Sequence, residues 1–339
     1  KPELAERAAD AILALEKNWQ GAAAENGAID STLTVWQSME RAYPELAGDW
    51  RWQQCLLRAY YDAYIRHRLI HESELEREAN DCLLMADKVG SGKAIAAALA
   101  VLDRATPGVV QPEWRGRIIE LCARLYDSIG LQTSTPNYHA HNPQRGAVLD
   151  FVDLPLNNRW WLEDELEKVR ALPDENSRVV RLRELALWEE PVPDSFYDDI
   201  GNVAKSPHVV RDPEPNMTMP LVEPSGTGCM WWENGKPRCR QSWVTYMDWP
   251  KAMRYSGLDP EKRYVIRTTG YVQCLLRIDG ERVTPTVDGK GIGEIKEFPV
   301  PAELYKDSCI ELTFDVPHEP GVNWRYTSRL TEVWLIPVP

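Results

Sequence analysis

The sequence predicts a multidomain α and β protein, an antiparallel helical array followed by an antiparallel β-sandwich. Three observations carry this. The chain has 339 residues, enough for two domains at roughly 100–200 residues each. Apolar residues recur at steps of three and four before about residue 190 and alternate in short runs after it. Residues 1–190 hold 8 Pro, whereas the shorter remainder holds 17, as expected where many turns separate short strands. The boundaries read as a helical domain over 1–190, an ordered Pro-rich linker over 191–224 and a β-sandwich over 225–339.

The helices follow in order. Leu4, Ala8, Ile12, Leu15 and Trp19 mark one buried face. Leu33, Trp36, Met39 and Tyr43 repeat it, with Asp30 and Ser31 as N-caps. Asp49 caps a long helix that runs through Leu56, Tyr60 and Ala63 to Leu69. Ser73 with Glu76 is a capping box for the next helix. Ser91 caps a segment with Ile95, Leu99 and Leu102. Pro112 suits the first turn of a helix that Gly130 ends. Two further helices fall near 159–172 and 175–189. The polar stretch 131–158 interrupts this array, and a loop of such length is functional or docks on another domain.

Eight short strands are expected beyond the linker: Trp243–Trp249, Ala252–Tyr255, Tyr264–Thr268, Val272–Ile278, Arg282–Val287, Ile295–Phe298, Cys309–Val316 and Val333–Ile336. Asp279-Gly280 is a two-residue hairpin signal. Strands of this length and spacing predict a jelly roll.

Charge and composition exclude several classes. The net charge is −13, whereas nucleic-acid binders present a basic face. No run of 18 apolar residues exists to form a membrane span. Seven Cys without regular spacing are not a disulfide framework, although Cys229 and Cys239 can pair if their loop lies at a surface. Gly90-Ser91-Gly92-Lys93 lacks the earlier glycine of a phosphate-binding loop, and His71-Glu72 lacks the second His of a zinc protease.

The aromatic content, 14 Trp and 13 Tyr against 4 Phe, points to flat surfaces with polar edges. Trp231, Trp232, Trp243, Tyr246 and Trp249 form one run, and Trp324, Arg325, Tyr326 and Arg329 another. The C–H face of a pyranose lies well on such rings, and Arg supplies a fork for an acidic sugar. Tyr138, His139, His141 and Arg145 are the candidate acid, base and carboxylate-neutralising groups for an enzyme. Asp198 and Asp199 are candidate oxygen ligands for calcium.

The segments Tyr255-Ser256-Gly257-Leu258-Asp259-Pro260, Arg263-Tyr264-Val265-Ile266, Arg277-Ile278-Asp279-Gly280, Phe298-Pro299-Val300-Pro301, Ile310-Glu311-Leu312-Thr313-Phe314 and Glu332-Val333-Trp334-Leu335-Ile336 resemble a galactose-binding-like jelly roll, the fold of many carbohydrate-binding modules. The wider pattern, with its linker Ser195-Phe196-Tyr197-Asp198-Asp199-Ile200-Gly201-Asn202, resembles the C-terminal part of large bacterial proteins of glycoside-hydrolase type. The resemblance implies a non-catalytic, carbohydrate-associated region of a polysaccharide-degrading protein. It implies a glycan ligand, an upstream catalytic domain and an extracellular or periplasmic setting. By the same analogy Glu332 joins Asp198 and Asp199 as a ligand of a possible structural calcium, with no other cofactor expected. Two alternatives stand beside this. One is a polysaccharide lyase or glycoside hydrolase acting on an acidic glycan. The other is a helical protein-interaction scaffold.

Overall fold

A computed structural model describes residues 26–139, 148–153, 155–201, 205–211, 222–224, 240, 243–245, 250–271, 273–291, 293–315 and 328–338. The chain divides into two compact units, with the boundary between Arg159 and Trp160. The expected helix over residues 4–19 lies outside the described residues.

Among the described residues, the first unit is built around one long helix. Helix α1 (Ala28–Ala42) buries Ile29, Leu33, Trp36 and Met39, the stripe its spacing predicts. Its start differs from expectation. The Asn26 side chain accepts the Ala28 N–H at 3.1 Å, and Asp30 sits inside the first turn, where it pairs with Arg66 at 2.7 Å. Helix α2 (Trp50–Leu84) begins as predicted, with the Asp49 carboxylate accepting from the Arg51 and Trp52 N–H groups. It does not stop near Leu69. No Gly or Pro falls between residues 50 and 84, so nothing forces a break, and Ser73 lies in the helix interior instead of at a cap.

Helices α3 (Ala86–Val89) and α4 (Ser91–Leu102) follow. Gly90, at φ +88°, is the cap residue of α4 in place of Ser91, because that backbone conformation suits glycine. Helix α5 (Pro112–Ile129) starts at its proline and ends at left-handed Gly130, both as predicted. Helices α1, α4 and α5 all pack on α2. Trp36 and Trp52 stack at 5.0 Å in the core.

The polar interruption is tied down by a buried ion pair on α2. Arg68 donates to Glu72 at 2.5 Å and to the Val152 carbonyl, and Glu72 accepts the Leu156 N–H at 2.6 Å. Both charges are almost fully buried, so each needs the other and the backbone partners. Helix α6 (Val148–Phe151) lies in this anchored stretch.

The second unit opens with α7 (Arg159–Arg170) and α8 (Glu175–Ala186), the latter capped by Asp174. These two helices fall with the sheets, so the compact boundary lies about thirty residues before the compositional one near 190. The physical cause is aromatic. Trp161 of α7 packs edge-on to Trp188 at 5.0 Å, and Trp188 packs on Trp334 of the last strand at 5.7 Å.

Two antiparallel sheets form the body of this unit. The strands are β1 (Phe196–Asp199), β2 (Val222–Pro224), β3 (Trp243–Thr245), β4 (Met253–Ser256), β5 (Arg263–Tyr271), β6 (Leu276–Ile278), β7 (Glu281–Arg282), β8 (Val287–Asp288), β9 (Lys296–Pro299), β10 (Cys309–Phe314) and β11 (Arg329–Val338). One sheet has the order β1-β11-β5-β9-β8, the other β4-β10-β6-β7, and β2 pairs with β3. Tyr255, Ile278 and Leu312 of the second sheet share one buried cluster with Ile266, Phe298 and Leu335 of the first.

Most expected strands are present, with three differences. The segment expected as a linker supplies β1, which pairs with β11 at a sheet edge, and β2, which pairs with β3. The run Arg282–Val287 divides into β7 and β8, which belong to different sheets. The strand expected over Val272–Ile278 is shorter: β5 ends at Tyr271 and β6 starts at Leu276. Asp279 and Gly280 both have positive φ, +48° and +85°, the geometry the two-residue hairpin turn requires. Gly270 approaches β11 so closely that a side chain there would run into the Arg329 carbonyl, beside the bulge between Leu330 and Glu332.

Candidate functional site

Among the described residues of the second unit, strand β1 organises a polar cluster on each of its faces. Successive side chains on a strand point to opposite faces. Phe196 and Asp198 therefore face the shared core, while Tyr197 and Asp199 face the other way.

On the core side, Asp198 is fully buried. Its carboxylate accepts the Tyr255 hydroxyl at 2.8 Å, the His208 backbone N–H at 3.1 Å and the His208 Nδ1–H at 2.8 Å. The His208 ring also stacks on Tyr255 at 4.4 Å. The carboxylate accepts, so the contact calls for a proton on Nδ1. Burial and the Asp198 charge hold the Tyr255 phenol well above its usual range. This arrangement joins β1 and β4, the edge strands of two different sheets.

On the opposite face, Asp199 lies directly across from Glu332 of β11. Like charges in that register repel. Glu332 is 1% exposed and receives donors from four sides: Tyr197 Oη at 2.8 Å, Trp188 Nε1 at 3.0 Å, Arg240 Nη1 at 2.9 Å and Thr269 Oγ1 at 2.9 Å. Arg240 also reaches Glu189 at 2.7 Å, and Lys205 pairs with Glu189 at 3.0 Å. Burial works to raise the Glu189 carboxyl, but Arg240 and Lys205 outweigh it and hold it below its usual value. Asp199 has weaker support: among the described residues its carboxylate accepts the Gly201 N–H at 3.2 Å. Burial first, and the Glu332 charge second, push it up to about 7. Burial and Glu332 likewise raise the Tyr197 phenol.

The three calcium candidates therefore divide. Asp199 and Glu332 meet, and Asp198 points to the other side of the sheet. Among the described residues, no three His, Cys, Asp or Glu side chains are placed to hold an ion. In the first unit, Tyr138 and His139 sit in a tight turn in which their N–H groups bond back to Ser134, Thr135 and Pro136, and His139 is exposed. His141 and Arg145 lie outside the described residues.

Of the aromatic runs, Trp231, Trp232, Tyr246, Trp249, Trp324, Arg325 and Tyr326 lie outside the described residues, as do Cys229 and Cys239. Trp243 opens β3 and Arg329 opens β11. These two strands are joined. Thr245, fully buried, accepts the Leu330 N–H at 2.7 Å through its hydroxyl.

His208, Arg240, Tyr197 and Thr269 were not legible as site residues. Each is a single polar residue with no motif around it, and the pairing of β11 with β1 on one side and β5 on the other brings Tyr197, Thr269 and Glu332 together. No protein-family model, no curated protein and no solved structure matches this chain. Among the described residues no helix is long and apolar enough to cross a membrane.

Proposed function

We propose that the chain is a non-catalytic, carbohydrate-associated region of a polysaccharide-processing protein. Its two sheets act as a jelly roll of galactose-binding-like type, and aromatic side chains of the second unit bind the glycan. The observation that carries this reading is the Thr245–Leu330 hydrogen bond. Thr245 lies within the first aromatic run of the sequence and Leu330 directly follows Arg329 of the second, and the bond from the Leu330 N–H to the Thr245 hydroxyl ties β3 to β11. A sugar site needs a few flat rings with polar groups at the rim, and the two runs together supply Trp, Tyr and Arg. The tightly bonded Glu332 and Asp198 serve this reading as braces.

The test is binding. The purified chain is run through native gels containing neutral and uronic-acid polysaccharides, and its tryptophan fluorescence is titrated with the corresponding oligosaccharides. Retardation by at least one glycan, lost in Trp243→Ala with the melting temperature kept, supports the reading. Unchanged mobility on every glycan class removes it.

A second reading, a glycoside hydrolase or polysaccharide lyase, is favoured by one feature. Asp199, pushed up to about 7, faces the Glu332 carboxylate, and pairs with separated proton affinities are how acid and base roles arise. New reducing ends or unsaturated products in the same incubations would put this reading in place of the first.

A further inference from the structure

Lys296 is an anomalous charge among the described residues of the second unit. It opens β9, in which Lys296 and Phe298 are buried and Glu297 and Pro299 are not, so Lys296 shares the inward face with a core phenylalanine. It is 3% exposed. Buried lysines ordinarily have a carboxylate partner. Among the described residues Lys296 has neither an ion pair nor a hydrogen bond from its amine.

Its neighbours explain the isolation. On one side the register places Thr268 of β5 opposite it, and on the other Asp288 of β8. Thr268 is engaged with the Cys274 thiol, which burial pushes up to about 12. Asp288, the counter-ion that the register offers, is taken by Lys290. Glu294 in the same turn accepts the Gly291 N–H at 2.7 Å. The groups that face the amine are thus a hydroxyl, an un-ionised thiol, two carboxylates already bonded elsewhere and the like charge of Lys290. Desolvation is the largest influence on Lys296 and lowers its pKa. A desolvated amine that loses its proton regains a lone pair, which is how lysine becomes a nucleophile.

We propose that Lys296 is a nucleophilic amine that condenses with a small aldehyde to form an imine. The Nζ lone pair forms a bond to the carbonyl carbon and the C–O π pair moves to oxygen. The two amine protons then leave with that oxygen as water, the C–O bond breaks, and a C=N bond remains. No oxidant or reductant is consumed. An aldehyde fits better than an anion because the Asp288 and Glu294 carboxylates beside the amine would repel a negative ligand.

The experiment treats the full chain with glycolaldehyde and cyanoborohydride at pH 7 and pH 9. Adducts are quantified at each lysine by peptide mass spectrometry, with exposed Lys251 and Lys306 as internal references. The expected result is an adduct at Lys296 that keeps a several-fold larger share of its pH 9 yield at pH 7 than the references keep. Asp288→Asn removes the attraction that favours the ammonium and raises the Lys296 adduct at pH 7 further. Absence of a Lys296 adduct while Lys251 and Lys306 react overturns the proposal. So does a pH ratio equal to theirs, or a smaller adduct in Asp288→Asn.

Discussion

Replacing Asp199 by asparagine makes the cost of the Asp199–Glu332 pair measurable. In the folded chain Asp199 is raised from 3.8 to about 7, because it is half-buried opposite an anion that holds four donors of its own. The sign follows from linkage. The folded state binds the proton more tightly than the unfolded chain does, so this group's contribution to stability is fully present below about pH 4. It is lost as pH rises through about 7. A rise of about three units corresponds to about 4 kcal/mol at about 1.4 kcal/mol per unit, an upper value for a group with some access to water. The substituted amide cannot ionise, so the variant is expected to be more stable than wild type at pH 8 by about 2–4 kcal/mol and close to it at pH 4. Urea unfolding of the intact chain at unit steps from pH 4 to pH 9, followed by tryptophan fluorescence, measures both curves. The reasoning fails if the two proteins keep a constant difference across that range, or if the variant is the less stable one at pH 8.

Three other outcomes follow from the packing. Glu72→Gln removes the counter-charge of the buried Arg68 guanidinium and is expected to cost about 3–5 kcal/mol, read by denaturation of the intact chain; a loss below about 1 kcal/mol contradicts a buried pair. Gly270→Ala drives a methyl group into the Arg329 carbonyl and is expected to destabilise the second unit by more than about 2 kcal/mol, while Gly48→Ala, where a side chain meets nothing, stays within about 1 kcal/mol. Thiol labelling of the native protein modifies exposed Cys309 and spares Cys274 until unfolding, because the latter is buried and its thiol is pushed up to about 12; simultaneous labelling of both would contradict the core assignment.

Local chemistry was legible where one residue settles one event. The Asp49 cap, the Pro112 start, the Gly130 stop and the Asp279-Gly280 turn all follow from side-chain oxygens or from backbone angles that few residues tolerate. The Ser73–Glu76 capping box misled because the same letters serve equally well on the flank of an uninterrupted helix, where Arg68 and Glu72 reach out from the same turns. Strand β1 was hidden for a different reason. Four residues in a proline-rich stretch carry no detectable period, and their partner lies more than 130 positions later in the chain. The cluster around Glu332 shares that cause, since its donors come from Trp188, Tyr197, Arg240 and Thr269. Spacing along the chain encodes none of these meetings.

The placement of β11 between β1 and β5 bears on how the protein is made. A growing polypeptide that has emerged only as far as residue 328 owns two potential neighbours and lacks the ribbon that joins them. Until residues 329–338 arrive, Tyr197 and Arg240 have no Glu332 to bond, and both lateral edges of the missing slot stay open to foreign strands. Assembly of this sheet is therefore a late, long-range event. A chain cut just before Arg329 is expected to clump instead of remaining a smaller soluble body.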